Sequence, residues 1–122
     1  MTNDELLKHA QSNCVVIGAH THNHPSLGAL TYQEQWDEIK TSKQILERLL
    51  NREVLHFSFP FGTRLDYNSD TLTICRDLGF KMTAANYPYI VHCNTDKMQF
   101  PRFLVRNWDA EQFKNALAGF FS

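Results

Sequence analysis

Neither sign of charge is in excess in this sequence, cysteine is scarce and no long apolar run occurs; each absence removes a class of function. Lysine and arginine number 12 against 13 aspartates and glutamates, a net charge of −1. No basic face therefore points to nucleic acid and no acidic tail to a basic partner, and a small or neutral partner is expected. The three cysteines, Cys14, Cys75 and Cys93, are odd in number, widely spaced and without a C-x-x-C pair. That pattern speaks against a disulfide framework and for buried thiols in a reducing, cytoplasmic setting. No stretch is long and apolar enough for a signal peptide or a membrane span, so the chain reads as soluble. Internal repeats and low-complexity tracts are missing as well.

What is present fits one domain over residues 1–122. Thr2 and Glu5 have the spacing of a capping box, which predicts a first helix to about Gln11, before the apolar run Val15-Val16-Ile17. That run reads as a short buried strand ending at Gly18-Ala19. Thr31 and Glu34 form a second capping box, and Trp36, Ile39, Leu46 and Leu50 hold one face of a helix from Tyr32 to Leu50. Val54 to Phe59 alternates like a strand and stops at Pro60-Phe61-Gly62. Another helix begins near Ser69, with Gly79 at its left-handed cap, followed by a strand from Phe80 to Ala85. Phe103-Leu104-Val105 reads as a fourth strand, and Asp109 with Gln112 opens a last helix. Alternating helix and strand is the sign of an α/β fold: a parallel sheet or partial barrel with outer helices.

Three histidines within five residues, His20, His22 and His24, follow directly on the first predicted strand. Isolated His9 and His56 read instead as ordinary packing or solvation. Imidazole nitrogen suits zinc, and a catalytic zinc takes three protein ligands and keeps a position open for water. His20 and His24 share a side if the loop turns into a helix, whereas all three share a face on an extended strand. Gly18 and Pro25 favour the turn. Spacing alone leaves both metal binding and a polar surface loop open.

The run from Val16 to Leu27 resembles the polysaccharide deacetylases with a NodB homology domain, carbohydrate esterase family four: His20-Thr21 and His24 lie in register with that family's H-[S/T]-x-x-H motif. Phe57-Ser58-Phe59-Pro60-Phe61-Gly62 is similar to its F-x-Y-P-Y-G loop, and Phe100-Pro101-Arg102 to its L-P-R segment. The resemblance spans about Leu6 to Trp108. It implies a distorted (β/α) barrel and removal of acetyl groups from N-acetylated polysaccharides or oligosaccharides, with His20 and His24 binding a divalent metal, most commonly zinc. It further implies an oxyanion donor in the backbone N–H of Phe61, a loop-holding hydrogen bond from Thr21, and Arg102 where the family orients its catalytic aspartate. Phe59, Pro60 and Trp108 are the expected substrate contacts.

Two family motifs have no counterpart. The sequence contains no Asp-Asp pair for the T-F-D-D motif, which supplies the general base and third metal ligand, and no L-x-x-H near its end. The expectation is a C-terminal portion of the family domain, an incomplete barrel whose open edge invites a partner copy or a complementing segment. His22, Asp66, Asp70 or Asp96 could complete the metal shell, and His92 could replace the missing general acid. The alternative is a non-catalytic carbohydrate-binding or regulatory remnant, with Trp36, Trp108, Phe59 and Tyr89 available to stack on sugars. A third reading is an unrelated metal protein with its three histidines on a strand.

Overall fold

The computed structural model describes residues 2–121. In chain order the elements are α1 (Asn3–Ala10), a 3-10 turn at Leu27–Ala29, α2 (Tyr32–Leu50), β1 (His56–Ser58), α3 (Ser69–Asp77), β2 (Met82–Ala84) and α4 (Ala110–Phe120). All four α-helices begin with a reciprocal cap in which side chain and backbone satisfy each other's orphan groups. Three follow the predicted Thr2/Glu5, Thr31/Glu34 and Asp109/Gln112 pairs. The fourth pairs Asn68 with Thr71 at the head of α3.

β1 and β2 pair in parallel, with Phe57 opposite Thr83, and α3 makes the crossover between them. The ladder continues through isolated parallel bridges, from Ala19 to Phe57 on one side and from Ala84 to Phe100 on the other. The spatial order is therefore Ala19, β1, β2, Phe100: a short, consistently parallel, open sheet. Two predicted strands are corrected here. Val15-Val16-Ile17 is not a buried strand, since Val16 is 72% exposed and only Ala19 pairs. Phe103-Leu104-Val105 is not a strand either; the pairing falls on Phe100, and Leu104 and Val105 are exposed. Strand geometry is conferred by a paired neighbour, and neither segment has a ladder partner among the described residues.

Alternation along the strands sends Phe57 towards α2 and α3, where it meets Phe59 at 5.7 Å and Phe80 at 5.3 Å between ring centres. Phe59 stacks on Tyr67 at 4.2 Å, and Ile39 of α2 and Ile74 of α3 complete this side. α2 and α3 are also joined by a buried polar pair, Thr71 Oγ1 donating to Gln35 Oε1 at 2.5 Å, while Gln35 Nε2 donates to the Leu30 carbonyl at 3.1 Å. Of the cysteines only Cys75 is buried, where burial pushes its thiol up to about 12; Cys14 and Cys93 are exposed, against the expectation of buried thiols. No helix among the described residues is long and apolar enough to cross a membrane.

Candidate functional site

Parallel pairing has one consequence that matters most: every strand end that carries a motif lies along the same edge of the sheet. His20 follows Ala19, Phe61 follows β1 by three residues, and Arg102 follows Phe100 by two. The loops after parallel strands are where this class of sheet keeps its chemistry.

His20 is locked by Ser58. Its Nδ1 lies 2.8 Å from the Ser58 carbonyl oxygen and 2.8 Å from the Ser58 hydroxyl. A carbonyl oxygen can only accept, so the proton is assigned to Nδ1, and Nε2 keeps its lone pair for a ligand. The ring of His24 meets that of His20 edge-on, with 4.8 Å between centres, and then that of Phe61 at 4.9 Å. The loop between the histidines is held internally by Thr21, whose hydroxyl donates to the His20 carbonyl at 2.5 Å and accepts from the His24 N–H at 3.1 Å. Thr21 and His24 both have left-handed backbone angles, φ 65° and 60°.

Phe61 is also left-handed, at φ 58°, and Gly62 follows at φ 73°. A Cβ on Gly62 would stand 2.9 Å from the backbone nitrogen of Asn86, so this turn requires glycine for space as well as for angle. Asn86 clamps the turn from β2's far end, its N–H donating to the Gly62 carbonyl at 2.7 Å and its Nδ2 to the Phe61 carbonyl at 3.1 Å. Among the described residues no group accepts from the Phe61 N–H, while its side chain is 57% exposed beside His24.

The remaining expected residues are placed differently. Phe59 is 1% exposed and Pro60 is buried, so their side chains belong to the core and are not offered to a substrate, contrary to the sequence reading. Arg102 Nε donates to the Ala85 carbonyl at 2.7 Å and fastens its loop to the end of β2; no carboxylate meets it among the described residues. Trp108 is half-buried just ahead of α4, outside the contacts that join the histidines, Ser58 and Phe61.

None of the candidate third ligands completes a shell. Among the described residues no three His, Cys, Asp or Glu side chains cluster as a metal site. Asp66 is occupied in loop closure, accepting from Ser26 Oγ at 2.9 Å and from the N–H and hydroxyl of Thr63 at 3.0 and 2.5 Å. Asp96 pairs with Arg76 at 3.3 Å, and Asp70 sits in the first turn of α3. His92 faces Tyr89, 5.9 Å between rings, in a different loop.

Two residues with a clear part in this loop went unread in the sequence. Ser58 is one. Glu38 is the other: it accepts from the backbone N–H groups of His22 and Asn23 and from Asn23 Nδ2. Partial burial pushes the Glu38 carboxyl up, but those hydrogen bonds from Asn23 and His22 outweigh it and hold it below its ordinary value. The one signal in the sequence is that Glu38 lies one turn after the capping Glu34, on the end of α2 nearest the histidines.

Comparison with known proteins follows the same lines. Residues 1–83 match the family model described as polysaccharide deacetylase. YxkH of Bacillus subtilis (strain 168), whose name assigns it provisionally to the polysaccharide deacetylases, is 28% identical over 85 residues, 70% of this chain and 29% of YxkH. The fold is similar to that of the Streptococcus pyogenes deacetylase PplD, solved with acetate: TM-score 0.82 and 25% identity, over 94% of this chain and 50% of that one. It is also similar to the fold of BC0361, a polysaccharide deacetylase from Bacillus cereus, with a TM-score of 0.79 and 19% identity over 96% of this chain and 36% of that one. The chain thus spans about half the length of PplD and under a third of YxkH.

Proposed function

Because the chain belongs to the polysaccharide deacetylase family, we propose that it takes part in the hydrolytic removal of N-acetyl groups from amino-sugar polysaccharides or oligosaccharides, with His20 and His24 as ligands of a divalent metal such as zinc. The observation that carries this reading is the meeting of His20, His24 and Phe61 at the C-terminal edge of a parallel sheet, with Nε2 of His20 left free by the Ser58 carbonyl. Two imidazoles fit two positions of a catalytic shell, and the carboxylate that would complete it is not among the described residues near them. When bound, such an ion supplies Lewis acidity towards the acetyl carbonyl and acidifies a water.

The chain's own residues do the rest. Ser58 fixes the tautomer and ring plane of His20, and Thr21 fixes the peptide that carries His24. The Phe61 N–H donates to the acetyl oxygen as negative charge develops there in the tetrahedral intermediate. That donor is main-chain and survives every change of side chain at position 61 except proline, and Asn86 and Gly62 keep its peptide aimed. Arg102 anchors the neighbouring loop to Ala85 and is free at its other guanidinium nitrogens to hold a carboxylate supplied from elsewhere.

Metal analysis of protein purified without added zinc, repeated on His20→Ala and His24→Ala, tests the ligands. Bound metal is expected in the wild type and lost in both variants; equal content in all three removes the site. Acetate release from an N-acetylglucosamine oligomer is expected only when a segment bearing an aspartate pair is supplied. The missing carboxylate also favours a second reading, a carbohydrate-binding module that does not turn over. Metal-loaded, complemented protein that binds the oligomer yet releases no acetate would select it.

A further inference from the structure

Helix α2 holds the segment between the two histidines from outside. Thr21 and His24 stand at left-handed φ values of 65° and 60°, a region that residues with a Cβ occupy at a cost and keep only where their surroundings hold them. Between them, the N–H groups of His22 and Asn23 both donate to one oxygen of Glu38, Oε2, at 2.9 and 2.8 Å. Asn23 Nδ2 donates to the other oxygen, Oε1, at 2.6 Å. Successive backbone N–H groups on one carboxylate oxygen fix the peptide planes themselves, and bonds to an ionised acceptor are among the stronger ones. The platform is rigid, because the next residue, Ile39, is wholly buried and Gln35 is tied to α3 through Thr71.

We propose that Glu38 is a positioning residue for the metal site: by gripping the His22-Asn23 turn it presets the edge-to-face placement of the His20 and His24 rings. The inference rests on the reading of those histidines as ligands. His20 has its own anchor at Ser58 and the His24 N–H has Thr21, so what Glu38 adds is the path of the chain between them. A ligand pair set before the ion arrives loses less freedom on binding.

The test compares Glu38→Ala, Glu38→Gln and Glu34→Ala, the last removing the carboxylate half of α2's capping box, which makes no hydrogen bond to the histidine loop. Co²⁺ affinity and visible absorption are measured beside the thermal midpoint. Glu38→Ala should bind Co²⁺ about 10–100-fold more weakly and shift its absorption bands. Glu38→Gln keeps one oxygen for the two N–H groups and should recover much of that loss. Glu34→Ala should lower the thermal midpoint and leave Co²⁺ affinity alone. Wild-type affinity and spectrum in folded Glu38→Ala would overturn the proposal. If the wild type takes up no Co²⁺, or His20→Ala takes it up equally well, the metal reading fails on its own account. Glu38 is then judged by the ring-proton NMR shifts of His20 and His24, which should move in Glu38→Ala and stay fixed in Glu34→Ala; unmoved shifts in Glu38→Ala sink the positioning role.

Discussion

Two phenylalanines two residues apart divide the work of the loop after β1. Phe59 is 1% exposed and stacked on Tyr67, whereas Phe61 is 57% exposed and touches His24. Removing the first ring opens a cavity between α3 and the sheet, and Phe59→Ala should cost roughly 3–5 kcal/mol in urea or thermal unfolding. Phe61→Ala keeps the backbone donor and should cost less than about 1 kcal/mol. Equal losses in the two would mean that the core and surface assignments are wrong. The sequence made His20 and His24 visible because motif spacing is local. It did not make Ser58 or Glu38 visible, because their contacts reach across 38 and 15 or 16 positions and depend on the packing of β1 and α2. The same limit misplaced Phe59, whose side of the strand is decided by what covers it.

Helices were far more legible than strands, and the capping boxes are the reason. A cap is a four-residue contract between side chain and backbone, so Thr31 and Glu34 marked the start of α2, and its amphipathic face marked its length. Asn68 with Thr71 escaped because a threonine at the third helical position is a weaker signature than glutamate or glutamine. Strand geometry, by contrast, is conferred by the neighbour, so the apolar runs Val15–Ile17 and 103–105 look like strands in the sequence and are not strands in the fold. Thr31→Ala removes the hydroxyl that accepts from the Glu34 N–H, and should destabilise the fold by about 1 kcal/mol in thermal unfolding. Helix α4 is capped as well, yet none of its residues is buried, and Phe113, Leu117 and Phe121 beside it stay exposed. Its amides should exchange with solvent roughly tenfold or more faster than those of α2 and α3. Protection matching α2 would show that α4 opens only with the whole fold.

At the scale of the molecule, helices cover one face of the sheet and leave the other open, as a cleft of about 410 Å³ between the Val16–Ala19 edge and Met82 of β2. With so short a ladder, loop closure by polar contacts carries much of the organisation around the site, and carboxylates dominate it. Glu47 receives Lys43 and the Val54 N–H, Glu38 holds the histidine loop, and Asp66 joins the loop after His24 to the loop after β1. For Asp66, partial burial pushes the carboxyl up, but hydrogen bonds from the hydroxyls of Thr63 and Ser26 and from the Thr63 backbone outweigh this and hold it below its ordinary value of 3.8. A group more acidic in the folded than in the unfolded chain leaves the folded state with fewer bound protons between the two values. The stability it adds is therefore complete above its ordinary value and lost as the pH falls through the lowered one. The thermal midpoint should accordingly be nearly flat from about pH 7 to 5 as far as carboxylates set it, and fall towards about pH 3. Asp66→Asn should start lower at neutral pH, because an amide cannot receive all three donors, and should then fall less steeply in acid. A variant that keeps the wild-type slope would take Asp66 out of the acid response and leave it to Glu34, Glu38, Glu47 and Asp96, whose carboxyls are likewise held below their ordinary values.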